Sequence, residues 1–506
     1  MRSGMLTCIA AMTVFAVLTI RNGPPTAAAQ AANGGHQYHH YYVIDLGTLG
    51  GPNSFIPFEG TKTTNNRGDV IVEADTAVAD PYAPYCFQPL YGACQVNHAL
   101  LWRGGSPVDL GALPGVNSSF PTWINSRGSV VGFSENGLVD PLTGAPAEVG
   151  VLWQGGQIIN LGTLGGSGSS PVQINDRGEI VGGAMNGTPD PYAAMFPQAY
   201  CGTNPCLVVS FPWFQFGSAT QVHAVVWRNG AIQDLGTLGG PDSVAWFVNK
   251  RGQIAGQSYI NSIPNSTTGV PTTDPFFIGE DGKMEDISNT FGGTTSYLAG
   301  LNSRGQLAGT LTLPGDVTYH PFLWNQGMTT DLGTFGADCG EASAINDAGE
   351  VAGWACSSTA IFAFLWKNGT LMNLGTVDGD DCSVGNATNS RGDVVGESSP
   401  SCFDLAPEEA FLWQSGGPAV DLNALIQPGT GLILQGGFSI NDRGEIAGDS
   451  LASNGDHHAF LAIPCDENHP GVESCNYSLV DATPQKQASA RHSTPASSDS
   501  NGARAP

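Results

Sequence analysis

Two stretches of the sequence concentrate aromatic side chains among prolines and cysteines: "DPYAPYCFQPLYGAC" at 80–94, and "DPYAAMFPQAYCGTNPC" at 190–206, which runs on to "FPWFQF" at 211–216. Exposed aromatic rings stack on sugars and anchor peptides at small entropic cost. The stretches predict a ligand-binding surface, although the same rings could instead pack together as a small core beneath a long loop. The candidate residues are Tyr82, Tyr85, Phe87, Tyr91, Tyr192, Phe196, Tyr200, Trp213 and Phe214.

Other residue types that could do chemistry form weaker patterns. "HQYHH" at 36–40 could bind a transition metal through His36, His39 and His40, but a flexible linker with clustered histidines is the commoner explanation. Acidic stretches at 279–282 and 377–382 supply oxygen ligands for calcium, yet neither has the spacing of a recognised calcium loop. We expect no cofactor and no defined metal site, with calcium the one weakly supported ion.

No familiar catalytic motif is present in the chain, which lacks G-x-S-x-G, H-E-x-x-H and Walker-type patterns. Paired carboxylates for glycoside chemistry would leave no local pattern, because such pairs can come from distant segments. An enzyme is therefore the less favoured interpretation, and no catalytic residue is predicted.

The charge of the chain limits its partners. The formal net charge is -26 and the pI is about 4.4, so the field around the protein repels phosphate backbones and anionic lipid headgroups. Nucleic acid is an unfavourable partner.

The N-terminus has Arg2, an apolar run from Leu6 to Ile20 and small residues up to Ala29, the pattern of a secretory signal. No segment is long enough to predict a membrane span, and we expect an exported protein.

Cysteine usage agrees with export. Eleven cysteines become ten once Cys8 leaves with the signal, and an even number in an exported chain predicts five disulfides. Two pairs should face each other across hairpins, and three are suggested by short separations alone. The two pairs across hairpins are Cys339 with Cys356 and Cys382 with Cys402. The three pairs suggested by short separations are Cys86 with Cys94, Cys201 with Cys206, and Cys465 with Cys475.

Three short patterns recur eight times each and always in the same order: an N-x-R-G turn, an H-A-F-L-W strand and a D-L-G-T-L-G-G segment. Successive turns lie 43 to 74 residues apart, a spacing typical of propellers and solenoids. The turns begin at Asn65, Asn125, Asn175, Asn249, Asn302, Asn346, Asn389 and Asn441, and Ala348 replaces the arginine in the sixth.

Each repeat predicts four antiparallel strands. The N-x-R-G turn joins two short apolar strands, with Asn bonding its own backbone and Gly in the left-handed region. The H-A-F-L-W run supplies a third strand and D-L-G a fourth. Four strand patterns begin with His98, His223, His320 and His458, but other copies carry Val149, Phe362 or Glu409 there, so we expect these histidines to make structural hydrogen bonds.

The chain ends predict how the array closes. The chain opens with a fourth strand only, from Tyr41, and its last repeat stops after a third strand, at Ile463. Because the two partial repeats sum to one, we predict an all-β fold, a β-propeller of eight four-stranded blades in which the N-terminal strand completes the last blade. An open solenoid is the alternative, and the departures "DPFFIGEDG" (274–282) and "DISNTFGG" (286–293) leave the fourth blade the least certain of the eight.

The segments "DLGTLGG", "INDRGEIVG" and "HAF" (458–460) resemble those of the HAF-repeat family of extracellular proteins, over about Tyr42 to Ile463. The resemblance implies secretion and a repeat fold, and it brings neither an activity nor catalytic residues.

We therefore expect a signal peptide at 1–29, a His-containing linker at 30–40, the propeller at 41–463, a disulfide-tied loop at 464–480 and a disordered tail at 481–506. The connections between second and third strands should lie on one rim, and the aromatic insertions fall there. The favoured function is non-enzymatic binding of an extracellular glycan or protein. The alternatives are a carbohydrate-active enzyme with carboxylates at the central channel, and a structural surface component.

Overall fold

The computed structural model describes residues 36–57, 62–83, 94–139, 146–192, 220–266, 269–288, 293, 296–402 and 408–481. These residues are all-β, with thirty-four strands and one 3-10 turn, Leu422–Ala424. No helix in these ranges has the length and apolarity needed to cross a membrane.

Two short strands, β1 (Gln37–His39) and β2 (Tyr41–Asp45), precede four antiparallel four-stranded sheets in which the strands follow chain order. Sheet 1 is β3 (Gly50–Phe55), β4 (Val70–Ala79), β5 (Gln95–Arg103) and β6 (Ser106–Asp109); sheet 2 is β7 (Ser119–Ile124), β8 (Val130–Val139), β9 (Pro146–Gln154) and β10 (Gln157–Asn160); sheet 3 is β11 (Ser169–Ile174), β12 (Ile180–Pro189), β13 (Thr220–Arg228) and β14 (Ala231–Gly236); sheet 4 is β15 (Ser243–Val248), β16 (Ile254–Pro264), β17 (Pro271–Ile278) and β18 (Met284–Asp286).

The same pattern continues in the second half of the chain, where sheets 6 and 7 are joined by a single parallel bridge between Ile361 and Cys382. Sheet 5 is β19 (Ser296–Leu301), β20 (Leu307–Thr312), β21 (Tyr319–Asn325) and β22 (Met328–Asp331); sheet 6 is β23 (Gly340–Ile345), β24 (Val351–Cys356), β25 (Ile361–Lys367) and β26 (Thr370–Gly375); sheet 7 is β27 (Cys382–Thr388), β28 (Val394–Ser399), β29 (Glu409–Trp413) and β30 (Val420–Asp421); sheet 8 is β31 (Leu432–Ile440), β32 (Ile446–Ala452), β33 (His457–Pro464) and the N-terminal β2.

The chain ends meet in two places. Strand β2 pairs antiparallel with β33, so that the predicted fourth strand of the last repeat is supplied by the N-terminus. Strand β1 pairs with β34 (Leu479–Asp481), and Tyr38 is fully buried there. The expectation of a flexible linker is therefore wrong for 37–39, because Tyr38 packs in the core of sheets 7 and 8 and its hydroxyl donates to the carbonyl of Pro418.

The core lies between successive sheets. Sheets 1 and 2, for example, bury Ile71 and Leu101 against Ile124 and Trp153. A corresponding cluster of buried apolar side chains fills each following junction, and another joins sheet 8 to sheet 1, where Phe438 and Leu461 belong to the same cluster as Val72 and Leu100. Since a single four-stranded sheet cannot cover both of its faces, this stacking supplies the buried surface that the fold needs.

The N-x-R-G turns have the predicted geometry. In the first, the Gly68 amide donates to the Asn65 carbonyl at 3.1 Å and Gly68 has a φ of 79°. The Asn65 side chain accepts from the amides of Arg67 and Asp69, which holds the turn in shape.

The turn asparagines also bond to one another, which the sequence did not predict. In each turn the Asn side-chain amide donates to the backbone carbonyl of the Asn in the next turn, at 2.9 to 3.3 Å, and the last of these bonds runs from Asn441 back to Asn65. All eight asparagines are buried. The turns therefore hold neighbouring sheets together as well as linking the first two strands of each.

Three of the five predicted disulfides are present: Cys339–Cys356, Cys382–Cys402 and Cys465–Cys475, with Cα separations of 5.3, 5.2 and 5.5 Å. Cys94 is also disulfide-bonded. Cys86, Cys201 and Cys206 lie outside the described residues, so the pairings that involve them remain predictions.

Candidate ligand-binding rim

Strand length divides the molecule into two halves. The second strands of sheets 1 to 4, β4, β8, β12 and β16, have 10 or 11 residues, and those of sheets 5 to 8 have 6 or 7. Each long strand is buried at its start and exposed over its last three residues. We call these exposed extensions, residues 76–79, 136–139, 186–189 and 261–264, the crest.

A side-chain turn begins each extension. Asn136, Asn186 and Asn261 accept a hydrogen bond from the amide two residues ahead at 2.7 to 2.9 Å, and Thr76 does so at 3.2 Å. The pairing with the third strand shifts at this point and resumes beyond it, as between Val139 and Pro146. Short polar side chains favour such local turns, and the shift in pairing changes the direction of the strand.

The crest exposes aliphatic side chains. Exposure is 60% for Val78, 55% for Leu138, 52% for Val139 and 72% for Ile263. These four side chains lie on three of the extensions, those of sheets 1, 2 and 4, and together they mark a surface suited to an interaction.

Two of the predicted aromatic residues lie just beyond the crest extensions of sheets 1 and 3. The amides of Tyr82 and Tyr192 donate to the carboxylates of Asp80 and Asp190, both at 2.8 Å, so the two "DPY" segments start with the same turn. Tyr192 packs edge-on against Tyr259 and its hydroxyl donates to the Ser262 carbonyl, which ties sheet 3 to the crest of sheet 4.

The remaining predicted binding residues, Tyr85, Phe87, Tyr91, Phe196, Tyr200, Trp213 and Phe214, lie outside the described residues. The structure therefore places the beginnings of both aromatic stretches directly after the crest extensions of sheets 1 and 3, and the centres of the stretches lie outside the described residues.

Two carboxyl groups lie below the crest at the junction of sheets 3 and 4. Burial raises the pKa of Asp190, while burial together with the nearby Asp190 raises the pKa of Asp242 to about 7. Asp242 accepts from the Val222 amide at 2.8 Å. The two carboxyl groups come from different repeats, so no local pattern in the sequence associates them.

The four repeat histidines are hydrogen-bonded to repeat aspartates. Nδ1 of each lies 2.9 to 3.1 Å from both carboxylate oxygens of its partner, in the pairs His98–Asp109, His223–Asp234, His320–Asp331 and His458–Asp45. In two sheets that carry Val149 or Phe362 instead of His, the partner is Asn160 or Asn373, which still accepts from the glycine amide two residues ahead. The four pairs occupy equivalent positions in their repeats, which is the pattern expected of histidines with a structural role.

The acidic stretch at 377–382 lies near Glu409. Burial, then Asp421, Asp380 and Asp378, raise the pKa of Glu409 to about 7. Nevertheless, the described residues contain no group of three or more His, Cys, Asp or Glu side chains arranged to hold a metal ion, so the calcium suggestion gains no support there.

Comparison with known proteins gives only general likenesses. No family model matches the chain, and no curated protein matches it. Among solved structures, the chain is similar to the β-propeller domain of the Trilobed protease from Pyrococcus furiosus (10% identity, 76% of this chain, 95% of that chain, TM-score 0.39), to TolB from Acinetobacter baumannii (11%, 58%, 60%, 0.30) and to dipeptidyl peptidase 4 from Porphyromonas gingivalis (10%, 76%, 50%, 0.30). At these TM-scores the likenesses bring no site and no activity to this chain.

Proposed function

We propose that the eight sheets are the blades of a closed β-propeller of an exported protein with HAF-type repeats. The apolar cluster between sheets 8 and 1 supports closure, as do the pairing of β2 with β33 and the hydrogen bond from Asn441 to Asn65. The three disulfides support an oxidising compartment.

The protein binds an extracellular glycan or protein through the crest, without catalysing a reaction. The observation that carries this proposal is the group of long, exposed strand extensions in sheets 1 to 4, three of which expose large aliphatic side chains. A rigid ring with raised, partly apolar elements on one side gives a ligand a preformed surface and little ordering cost.

The aromatic stretches extend this surface. Both begin at the crest, at Tyr82 and Tyr192, and both carry further rings that could stack on sugars or fill pockets of a protein. Tyr85 and Trp213 are the residues that we expect to contribute most to affinity.

The experiment is a binding panel of soluble glycans and cell-envelope fractions, measured with the wild type and with L138S/V139S/I263S. We expect saturable wild-type binding that weakens about tenfold in the triple variant and further in Y85A/W213A. The matched control is Val317→Ser, because Val317 is 70% exposed in the corresponding connection of sheet 5 but lies outside the crest.

Equal affinities of the wild type, the crest variant and the aromatic variant would contradict the proposal. If no fraction binds at all, the structural-component alternative is favoured instead.

A carbohydrate-active enzyme is the second candidate, and the Asp190–Asp242 pair is the observation that favours it. One carboxyl group with a pKa near neutrality beside another is an arrangement that glycosidases use. Release of reducing sugar from polysaccharides by the wild type, abolished in Asp242→Asn, would establish this function; absence of release from every polysaccharide tested would remove it.

A further inference from the structure

The basic residues of this acidic protein lie at one end of the sheets. The end that carries the turns between strands one and two and between strands three and four, here called the turn face, is opposite the crest. All thirteen lysines and arginines among the described residues belong to it: Lys62, Arg67, Arg103, Arg127, Arg177, Arg228, Lys250, Arg251, Lys283, Arg304, Lys367, Arg391 and Arg443.

Some of these cations are neutralised by carboxylates of the repeat. Arg103 pairs with Asp69, Arg228 with Glu179, and Lys367 with Glu350. In sheets 7 and 8 the turn arginines themselves are paired, Arg391 with Asp393 at 2.8 Å and Arg443 with Glu445 at 3.4 Å.

The turn arginines of sheets 1 to 5 are different. Among the described residues, none of the five forms an ion pair, and all are exposed. We call this series the arginine arc: Arg67, Arg127, Arg177, Arg251 and Arg304. Lys250 lies beside the arc but is paired with Asp347 at 3.5 Å, and Asp176 is the one exposed carboxylate at the second or third position of these five turns.

The arc is held in place by the asparagine bonds. The amide of every arc arginine donates to the side chain of its own turn asparagine at 2.9 or 3.0 Å, and that asparagine donates to the next turn. Two of the guanidinium groups contact the next turn in the series: Arg67 donates to the Arg127 carbonyl and Arg177 donates to the Arg251 carbonyl. The backbone at each arc arginine is therefore fixed by its own turn and by the neighbouring one, which lowers the entropic cost of binding.

We propose that the arginine arc binds a polyanionic glycan through its carboxylate or sulfate groups. A guanidinium group forms paired hydrogen bonds with either anion. A net charge of -26 repels broad anionic surfaces such as duplex DNA or a bilayer, whereas a thin polysaccharide lying along the arc approaches only the basic end. The arc turns carry no aromatic residue on which nucleic acid bases could stack.

The test is calorimetric titration of the full-length secreted protein with polygalacturonate, dextran sulfate and neutral dextran, in about 50 mM and about 300 mM salt. We expect one or both polyanions to bind, neutral dextran not to bind, and affinity to fall at the higher salt concentration. R127Q/R251Q/R304Q should weaken polyanion binding about tenfold, and the comparison of polygalacturonate with dextran sulfate identifies the anion.

Two controls separate this site from the proposed crest site. Lys283→Gln removes a basic residue of the same face outside the arc, and L138S/V139S/I263S alters the opposite end; neither should change polyanion binding. The proposal is overturned if the wild type binds neither polyanion, if neutral dextran binds equally well, or if the folded arc variant retains full affinity. Tighter binding of anionic vesicles or duplex DNA than of either glycan would also overturn it.

Discussion

A turn asparagine in this molecule satisfies polar groups in two sheets with one side chain. Asn302 accepts from the amides of Arg304 and Gln306 and donates to the Gln306 side chain at 2.9 Å and to the Asn346 carbonyl at 3.1 Å. Because Asn302 is 4% exposed, water cannot replace these partners without rearrangement. Aspartate at this position would keep the acceptor and lose both donors, which explains why asparagine recurs in all eight turns.

Asn302→Ala should lower the free energy of unfolding by about 3 kcal/mol, because several buried polar groups lose their partner together. Chemical denaturation measures the effect. Arg304→Ala is the control in the same turn, and since that side chain is exposed and not ion-paired, its effect should stay within about 0.5 kcal/mol. Similar losses in the two variants would show that the asparagine bonds contribute little.

Sequence patterns predicted some of these residues and missed others. The N-x-R-G turn follows from local conformational preferences, and so do the Asn and Gly positions. Seven of the bonds between turns join residues 43 to 74 positions apart and the eighth joins Asn441 to Asn65, so none of them leaves a local pattern. The His–Asp pairing could have been found, because Val149 and Phe362 occur together with Asn160 and Asn373 in place of Asp.

Among the elements, β2 joins the two ends of the chain. Tyr41 and Val43 of β2, and Leu46 just after it, are buried against sheets 7, 8 and 1, and the last residue of β2, Asp45, bonds to His458. Without β2, strand β33 would present an unpaired edge.

Deleting residues 41–47 should therefore lower the free energy of unfolding by roughly 5 kcal/mol, from the lost burial of three large apolar side chains. Thermal unfolding measures the change, and deletion of 482–506 serves as the control. An unchanged unfolding temperature after loss of 41–47 would contradict closure by the N-terminal strand.

The His458–Asp45 contact adds a pH dependence to the same element. The hydrogen bond to Asp45 raises the pKa of His458. Although burial alone would raise it, the bonds from His458 and the Gly47 amide lower the pKa of Asp45. A histidine whose pKa is raised on folding stabilises the fold below its unfolded pKa of about 6.5, and this contribution is lost as the pH rises through the folded pKa.

His458→Gln should consequently lower the unfolding temperature more at about pH 6 than at about pH 9. The comparison needs the wild type and the variant in the same buffers at constant ionic strength. A difference that is the same at both pH values would mean that the charged form of His458 contributes nothing to closure.

A strand could be predicted from the sequence where both it and the strand it pairs with belong to the repeat. The four-strand unit and the completion of the last unit by β2 follow from eight aligned repeats. Strand β1 was missed because its partner, β34, lies outside the repeats and more than 400 residues away. The extension of the second strands into the crest was not predicted. Asn136 and its equivalents lie in segments that differ between repeats and therefore look like insertions in the sequence.

At the scale of the whole molecule, charge is unevenly distributed, and this distribution bears on stability. The described basic residues lie on the turn face, whereas several carboxyl groups are buried with raised pKa values. Keeping these groups ionised inside the fold costs free energy, and so does the repulsion among surface carboxylates at a net charge of -26.

Stability should therefore be greatest in mild acid. Burial raises the pKa of Glu148 to about 8 and, with nearby carboxylates, that of Asp242 and of Glu409 to about 7. Carboxyl groups whose pKa is raised on folding bind protons more tightly in the folded state, so stability falls as the pH rises from about 4 through the folded values. His458 acts in the same direction. The pKa values of Asp109 and Glu445 are lowered despite burial, by bonds from His98 and His469, and their contribution is lost only below about pH 4.

The unfolding temperature should accordingly be higher at about pH 5 than at about pH 8, at equal ionic strength, and scanning calorimetry measures both. Glu148→Gln should flatten this dependence, because the amide has no proton to lose, whereas Glu285→Gln removes an exposed carboxylate of strand β18 and should leave the slope unchanged. A rise in unfolding temperature between the two pH values would mean that the buried carboxyl groups are stabilised as anions. In that case a bound cation, supplied by the solution, would have to be sought beside them.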